Sequence, residues 1–374
     1  MGRKNGYCGK LQELDNQIQP RIKEMPMHTN ESTDSAMSRR QFVTAVAAAT
    51  TTAALAAPYV RAEDKSGLGP VIIGKDGCRF EVVRGWGKLP DGIAYGTTHG
   101  VGIDKQGRVF IHNTGKEATM IFDPDGNFIK SWGAEFAGGA HGFDIVEENG
   151  QEFAYMSDTR RRVVVKTTLD GEVVVTFPTP PMHANNINQY CPTNITPLPN
   201  GDILVGDGYG SSYLHQYTKD GQYVRPWSGK GSEPGKVNSP HGLWLDTRGE
   251  KPVVIVCDRG NNRLQLFDTE GKHLGFVTEG MRMPCHIDIR GKETLVPDLR
   301  GVVTILDDQY RVVVQLGDNP EALKESDWGP NYNPQKLVPG KFVTPHDACF
   351  DKDGNIYVTE WLGYGRVTKL KRIG

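Results

Sequence analysis

Residues 241–277 read HGLWLD (241–246), TRGEKP (247–252), VVIVCDRG (253–260), NNRLQLFD (261–268), TEG (269–271) and KHLGFV (272–277). Four runs rich in β-branched, aromatic and leucine residues alternate with Gly, Pro, Asp and Asn clusters, the pattern of four short strands joined by tight turns. The same plan opens at residue 99 with HGVGID, KQG, RVFIHN, TGKEATMIFD, PDG and NFIKSWG. It opens again at residue 346 with HDACFD, KDG and NIYVTEW, and the chain ends on GRVTKLKRI and a glycine. Six segments start this way, at His99, His141, Asn194, His241, His286 and His346. Self-similarity at about 40–60 residues indicates a propeller or solenoid. The reading is therefore all-β, a six-bladed β-propeller of four-stranded blades covering residues 79–374. Its last blade lacks an outer strand. The segment 79–87 (RFEVVRGWG) resembles the fourth-strand ends NFIKSWG and QYVRPWS and is expected to complete that blade, closing the ring.

In a propeller, equivalent positions lie on one ring about the axis. Five imidazoles at one repeat position would then converge, and crowded imidazoles repel if protonated. A divalent metal resolves that crowding; three histidines with an open position favour zinc or another divalent transition metal. A structural calcium ion is a further cofactor expectation. His215 falls outside the ring, and its removal is expected to leave the metal in place, unlike removal of His141 or His346. The second strands end on His112, Asp158, Asp207, Asp258, Asp298 and Glu360. Acids at such ends commonly cap turns. Two of these segments also carry chemistry: Tyr209, just after Asp207, and Arg259, just after Asp258, place a phenol and a guanidinium at the channel mouth.

The chain has 374 residues, 43 basic and 45 acidic, for a formal net charge of −2. No basic face calls for nucleic acid. The five cysteines after the leader form no CxxC pair, which excludes a zinc ribbon or thioredoxin motif and fits small buried side chains. The start of the chain differs in kind. Residues 1–36 are polar without apolar periodicity, then Arg39-Arg40 precede an alanine-rich run to Ala57 and small residues near Ala62. This is the order of a twin-arginine export signal. The run is short for a membrane span. The expected organisation is a leader and signal over 1–62 and one propeller domain over 63–374, exported to the periplasm or beyond, monomeric, and without a stable membrane span.

Between Cys191 and Phe267, the pieces CPTN, VGDGY, SPHGLWLD and VCDRGNNRLQLF resemble the peptidyl-α-hydroxyglycine α-amidating lyases, within the NHL-repeat propellers. AHGFDI before them and TPHDACFDKDGNIYVTEW after them extend the likeness across most of 99–374. The resemblance implies a zinc held by His141, His241 and His346, with His99 and His286 as additional candidates. It implies catalytic roles for Tyr209 as base toward a substrate hydroxyl, Arg259 as substrate-binding group, and Asp347 beside the third ligand. The implied reaction is carbon–nitrogen lysis of a carboxylate-bearing small molecule or peptide, giving a peptide amide and glyoxylate. Two positions depart from the family. Its second active-site arginine is Asn113 here, and Gly210 replaces the cysteine that would bridge to Cys191. The competing expectation is a non-catalytic NHL-repeat propeller that binds a protein, peptide or glycan, with its histidines structural. A propeller of another chemistry, such as a calcium lactonase, fits an imidazole-rich ring less well.

Overall fold

The computed structural model describes residues 69–374. The leader and twin-arginine signal expected over 1–62 lie outside the described residues. Six antiparallel sheets form the blades of a β-propeller. The innermost strands are Thr98–Ile103, Ala140–Glu148, Asn194–Pro197, Pro240–Asp246, Asp288–Arg290 and Pro345–Phe350, in blades one to six. In blade four, Pro240–Asp246, Val253–Asp258, Arg263–Phe267 and His273–Val277 follow the order of the sequence, each pairing with the next.

A separate apolar core fills each gap between neighbouring blades. Phe110 and Ile121 of blade one meet Phe143 and Met156 of blade two. Leu204 and Leu214 of blade three meet Leu243 and Val256 of blade four. Phe350, Ile356 and Val358 of blade six meet Leu295, Val303 and Ile305 of blade five. Alternation along each strand supplies both faces of its blade, so every sheet is covered on two sides.

The ring closes as the sequence indicates, with one addition. Cys78–Val83 pairs with the last strand, Arg366–Arg372. Outside it, Ile72–Lys75 adds a fifth strand to blade six. The two strands are joined by Asp76 and Gly77, both at positive φ (41° and 76°), as a two-residue hairpin turn requires. Four-stranded regularity had hidden this strand: IIGK is short, and three of its four residues are exposed. Trp86, beyond the closing strand, fills the seam between blades six and one, with its ring 5.4 Å from Phe122 and 5.0 Å from Tyr357.

Blade five also departs from expectation. Its inner strand starts at Asp288, not at His286. Pro284 touches Asp298 in an isolated bridge, and the chain rejoins the ladder only at Asp288. Where blades one, two and four have glycine after the ring residue, blade five has Ile287, buried in the core with Ile255 and Val296. Among the described residues, no helix is long and apolar enough to cross a membrane.

Candidate metal centre and active site

Four ring histidines fall at register shifts. Thr98 pairs with Asn113 and Gly100 with His112, leaving His99 as an extra residue. Pro345 pairs with Glu360 and Asp347 with Thr359, leaving His346. Shifts likewise bracket His141 and His241. An inserted residue bends a strand and re-aims its side chain. Here four imidazoles converge where straight ladders would have spread them.

The glycine after the histidine has a steric cause. A Cβ on Gly142 would lie 2.3 Å from the Thr193 carbonyl oxygen, and one on Gly242 would lie 2.5 Å from that of Cys285. Those two carbonyls orient the rings: His141 Nδ1–H donates to Thr193 O at 2.8 Å and His241 Nδ1–H to Cys285 O at 2.8 Å. His346 Nδ1–H donates to His99 O at 3.0 Å. With Nδ1 carrying the proton, each Nε2 presents a lone pair, the arrangement of metal-ligating histidine. Gly142→Ala is therefore expected to displace the Thr193 carbonyl and weaken metal binding about 10–100-fold, the usual effect of losing such a partner. Unchanged affinity in a chelator competition would disprove the steric link.

The three ring centroids of His141, His241 and His346 stand 4.8 Å apart in every pairing. His99 joins them: its Nδ1 lies 3.4 Å from His346 Nε2, while its buried Nε2 has no partner. Nitrogens of His99, His141 and His346 all lie within 4.8 Å of one another. A tetrahedral ion with Zn–N of about 2.0–2.1 Å needs donor separations of about 3.3–3.4 Å. The 3.4 Å pair already fits, and the remaining rings need only small movements. A void of about 10 Å³ lies among these rings, His286 and Asp347. Burial, with neighbouring imidazoles and Arg259 adding to it, holds His99, His241 and His346 well below the ordinary imidazole range. His141 is lowered to about 3, chiefly by burial. All four rings are thus neutral near pH 7, as ligands must be. These residues fit a divalent transition metal.

His286 is different. Its Nε2 lies 3.3 Å from Asp144 Oδ1 and 3.6 Å from Asp347 Oδ1. Burial disfavours its charge, but Asp347 and Asp144 outweigh that and hold it up at about 9. Asp347 accepts the Val101 and Ala348 N–H groups and does not reach the large cavity described below. The two kinds of histidine give stability opposite pH limbs. Rings held neutral lose their contribution as pH falls below the unfolded value of about 6.5. The raised His286 contributes fully below about 6.5, and its share is lost as pH climbs toward 9. Thermal melting of metal-free protein should therefore peak near neutrality. His286→Gln should flatten the alkaline limb; an unaltered limb would refute the assignment.

Tyr209 stands over the ring. Its hydroxyl lies 2.9 Å from His141 Nε2 and 3.0 Å from His241 Nε2. Arg259 Nη1–H donates to the same oxygen at 3.3 Å, with the guanidinium 5.1 Å from the phenol ring centre. Burial pushes the phenol up to about 12, and Arg259 pulls the other way. Arg259 is 6 % exposed, and among the described residues no carboxylate pairs with it. A buried cation without an anion is costly, so the site is poised for an anionic ligand. A cavity of about 770 Å³ opens here, reaching Tyr209, Arg259 and His346 on one side and Trp328, Trp361 and Met283 on another. Trp328 comes from the connection over 317–345. Its role was not legible in sequence beyond the length of that loop.

The capping role of the strand-end acids holds. Asp258 accepts Asn238 N–H and pairs with Arg263 at 2.7 Å, and Glu360 accepts Val343 N–H and pairs with Arg366 at 2.7 Å. In blade one the equivalent cap is Asn113, not His112: its Oδ1 accepts the Gly96 and Gly115 N–H groups. Asn113 is buried and fully engaged, so blade one offers the cavity no cation at that position. At Gly210 a Cβ would lie 2.2 Å from Asp207 Oδ1, which leaves no room for a cysteine opposite Cys191.

No family model matches the chain. It is 29 % identical over 214 residues to human NHL repeat-containing protein 3, covering 52 % of this chain and 60 % of that protein. It is 26 % identical over 270 residues to peptidyl-alpha-hydroxyglycine alpha-amidating lyase 1 of Drosophila melanogaster, covering 66 % of this chain and 47 % of that protein. The chain thus spans about half to three-fifths of the length of these relatives. A solved streptogramin B lyase superposes over 80 % of this chain and 98 % of its own, with TM-score 0.54 and 15 % identity, a likeness of fold. The NHL-repeat relatives and the six-bladed architecture together support the NHL-repeat propeller superfamily for this chain.

Proposed function

We propose that the chain is an exported, metal-dependent propeller lyase that cleaves a carbon–nitrogen bond beside a hydroxyl and a carboxylate, as in a peptidyl-α-hydroxyglycine. The observation that carries this reading is the Tyr209 hydroxyl, held between two imidazole Nε2 atoms and a buried guanidinium that has no carboxylate partner among the described residues. The distant likeness to a fly amidating lyase supports the same chemistry.

His141, His241 and His346 would hold the ion, with His99 in reach of the same point. When bound, the ion supplies Lewis-acid polarisation of the substrate hydroxyl and favours ionised Tyr209. Arg259 binds the substrate carboxylate and relieves its own unpaired charge. Tyr209 accepts the hydroxyl proton. As the C–O bond becomes a carbonyl, the C–N bond breaks and its electron pair goes to nitrogen. Nitrogen then takes the proton from Tyr209, giving an amide and an aldehyde acid, glyoxylate in the simplest case. Met283, Trp328 and Trp361 give the remainder of the substrate an apolar wall.

The test is glyoxylate release from α-hydroxyglycine peptides by zinc-loaded, tag-free protein. Saturable release above the metal-only rate supports the reading. A metal-loaded protein that binds such peptides without turnover would make it a binding propeller instead.

A further inference from the structure

A second group of metal-type ligands lies in blade three, away from the ring. Asp207 follows the second strand, Ile203–Gly206, and His215 lies on the third, Leu214–Tyr217. His183 ends a short 3-10 turn, Pro181–His183, in the long connection before the blade. The three side chains are 0 %, 0 % and 3 % exposed. Asp207 Oδ2 lies 3.8 Å from His183 Nε2 and 3.8 Å from His215 Nε2.

Blades four and six offer a contrast. In blades four and six the strand-end acid is answered by an arginine on the next strand, Arg263 and Arg366. In blade three the residue at that place is Tyr213, whose carbonyl accepts the Asp207 N–H. No arginine or lysine pairs with Asp207 among the described residues, and two imidazoles face it instead. Their nitrogens are poorly used: both of His215 and Nδ1 of His183 are buried with no hydrogen-bond partner. His183 Nε2 reaches Ser211 Oγ at 3.0 Å, and Ser211 itself donates to Asp207 Oδ2. Tyr190, Tyr213 and Tyr223 surround His215 with ring centroids 5.8–6.0 Å away and give its nitrogens no acceptor. Orphaned buried polar atoms are costly, and His215 Nε2, which faces Asp207, is one that an ion between the two would satisfy.

We infer that His183, Asp207 and His215 form a second metal site, distinct from the ring, that takes zinc or a similar divalent transition ion. A tetrahedral ion about 2.0–2.2 Å from each ligand sets donor atoms about 3.3–3.6 Å apart, so each 3.8 Å pair has to close by only a few tenths of an ångström. It supplies the cation that blade three lacks and the partner that His215 lacks. Two imidazoles with one carboxylate suit zinc, cobalt or nickel better than calcium or magnesium. The site joins the connection over 178–193 to blade three, so its role is structural. It gives His215 an ion apart from the ring, whose own metal is still expected to survive removal of His215, and it stands whether or not the ring is catalytic.

The test is metal counting by elemental mass spectrometry on the tag-free full chain, purified without chelator and dialysed against Zn²⁺. Two equivalents are expected in the wild type. One should remain in the ring double variant His141→Ala/His346→Ala, whose second site is untouched. One should also remain in His183→Gln, a change in a surface connection that leaves the blade strands intact. Adding His183→Gln to the ring double variant should remove the last equivalent. A ring double variant that holds no metal overturns the inference, as does a residual equivalent that survives His183→Gln.

Discussion

His346→Ala is expected to remove the ring metal and, with it, turnover. His346 Nε2 faces His99 Nδ1 at 3.4 Å, and its ring closes the equal-sided triangle with His141 and His241. Its Nδ1–H is already committed to the His99 carbonyl, so alanine removes both a donor to the ion and a link between blades six and one. Loss of a direct ligand should exceed the roughly 10–100-fold that loss of an orienting partner costs. The check is a zinc-binding isotherm in the presence of a competing chelator, read with the blade-three site occupied in both proteins. His141→Ala should behave alike, because its Nε2 is oriented by the same device on the Thr193 carbonyl. Wild-type affinity in both variants would mean that the imidazoles converge without binding an ion.

Tyr209→Phe is expected to lower kcat by about 10²–10⁴-fold, the usual contribution of a positioned proton-transfer group. The phenol contributes one oxygen to three partners: two imidazole nitrogens and the Arg259 guanidinium. Phenylalanine keeps the ring that stacks under Arg259 and removes only that oxygen. Metal content and KM should therefore change little while kcat falls. Arg259→Lys should do the reverse and mainly raise KM, since lysine retains charge but not the two-pronged grip on a carboxylate. A Phe variant with wild-type kcat would remove Tyr209 from the proton path.

The plan of the blades and the ring histidines were legible because both are periodic. One period places strands, and a second, longer one places equivalent residues at one radius. What the periods do not encode is where a ladder slips. The slips at His99, His141, His241 and His346 are what bring the rings together; blade five also gains a residue, between the Pro284–Asp298 bridge and the Asp288–Leu295 pair, yet there the ring residue is followed by the buried Ile287, and His286 lies against Asp144 and Asp347. The glycines in AHG and PHG carried more than the sequence disclosed. They are spaces for a carbonyl of the next blade, visible only once that blade is in place. His183 and His215 were beyond reach for a similar reason. They come from a connection and from a third strand, share no repeat position, and meet beside Asp207 with their rings 5.7 Å apart.

The clasp of blade six has a temporal side. Cys78–Val83 lies against Arg366–Arg372, so the first blade cannot be sealed to the last until the strand Arg366–Arg372 exists. Contacts so distant in sequence are slow to form. His99 belongs to the blade after that seam and His346 to the blade before it, and the carbonyl that orients His346 is that of His99 itself. The full set of imidazoles is therefore assembled only once Cys78–Val83 has met Arg366–Arg372. A loaded ring would report that this clasp is shut, and a variant lacking Arg366–Arg372 would be recognisable by its empty centre.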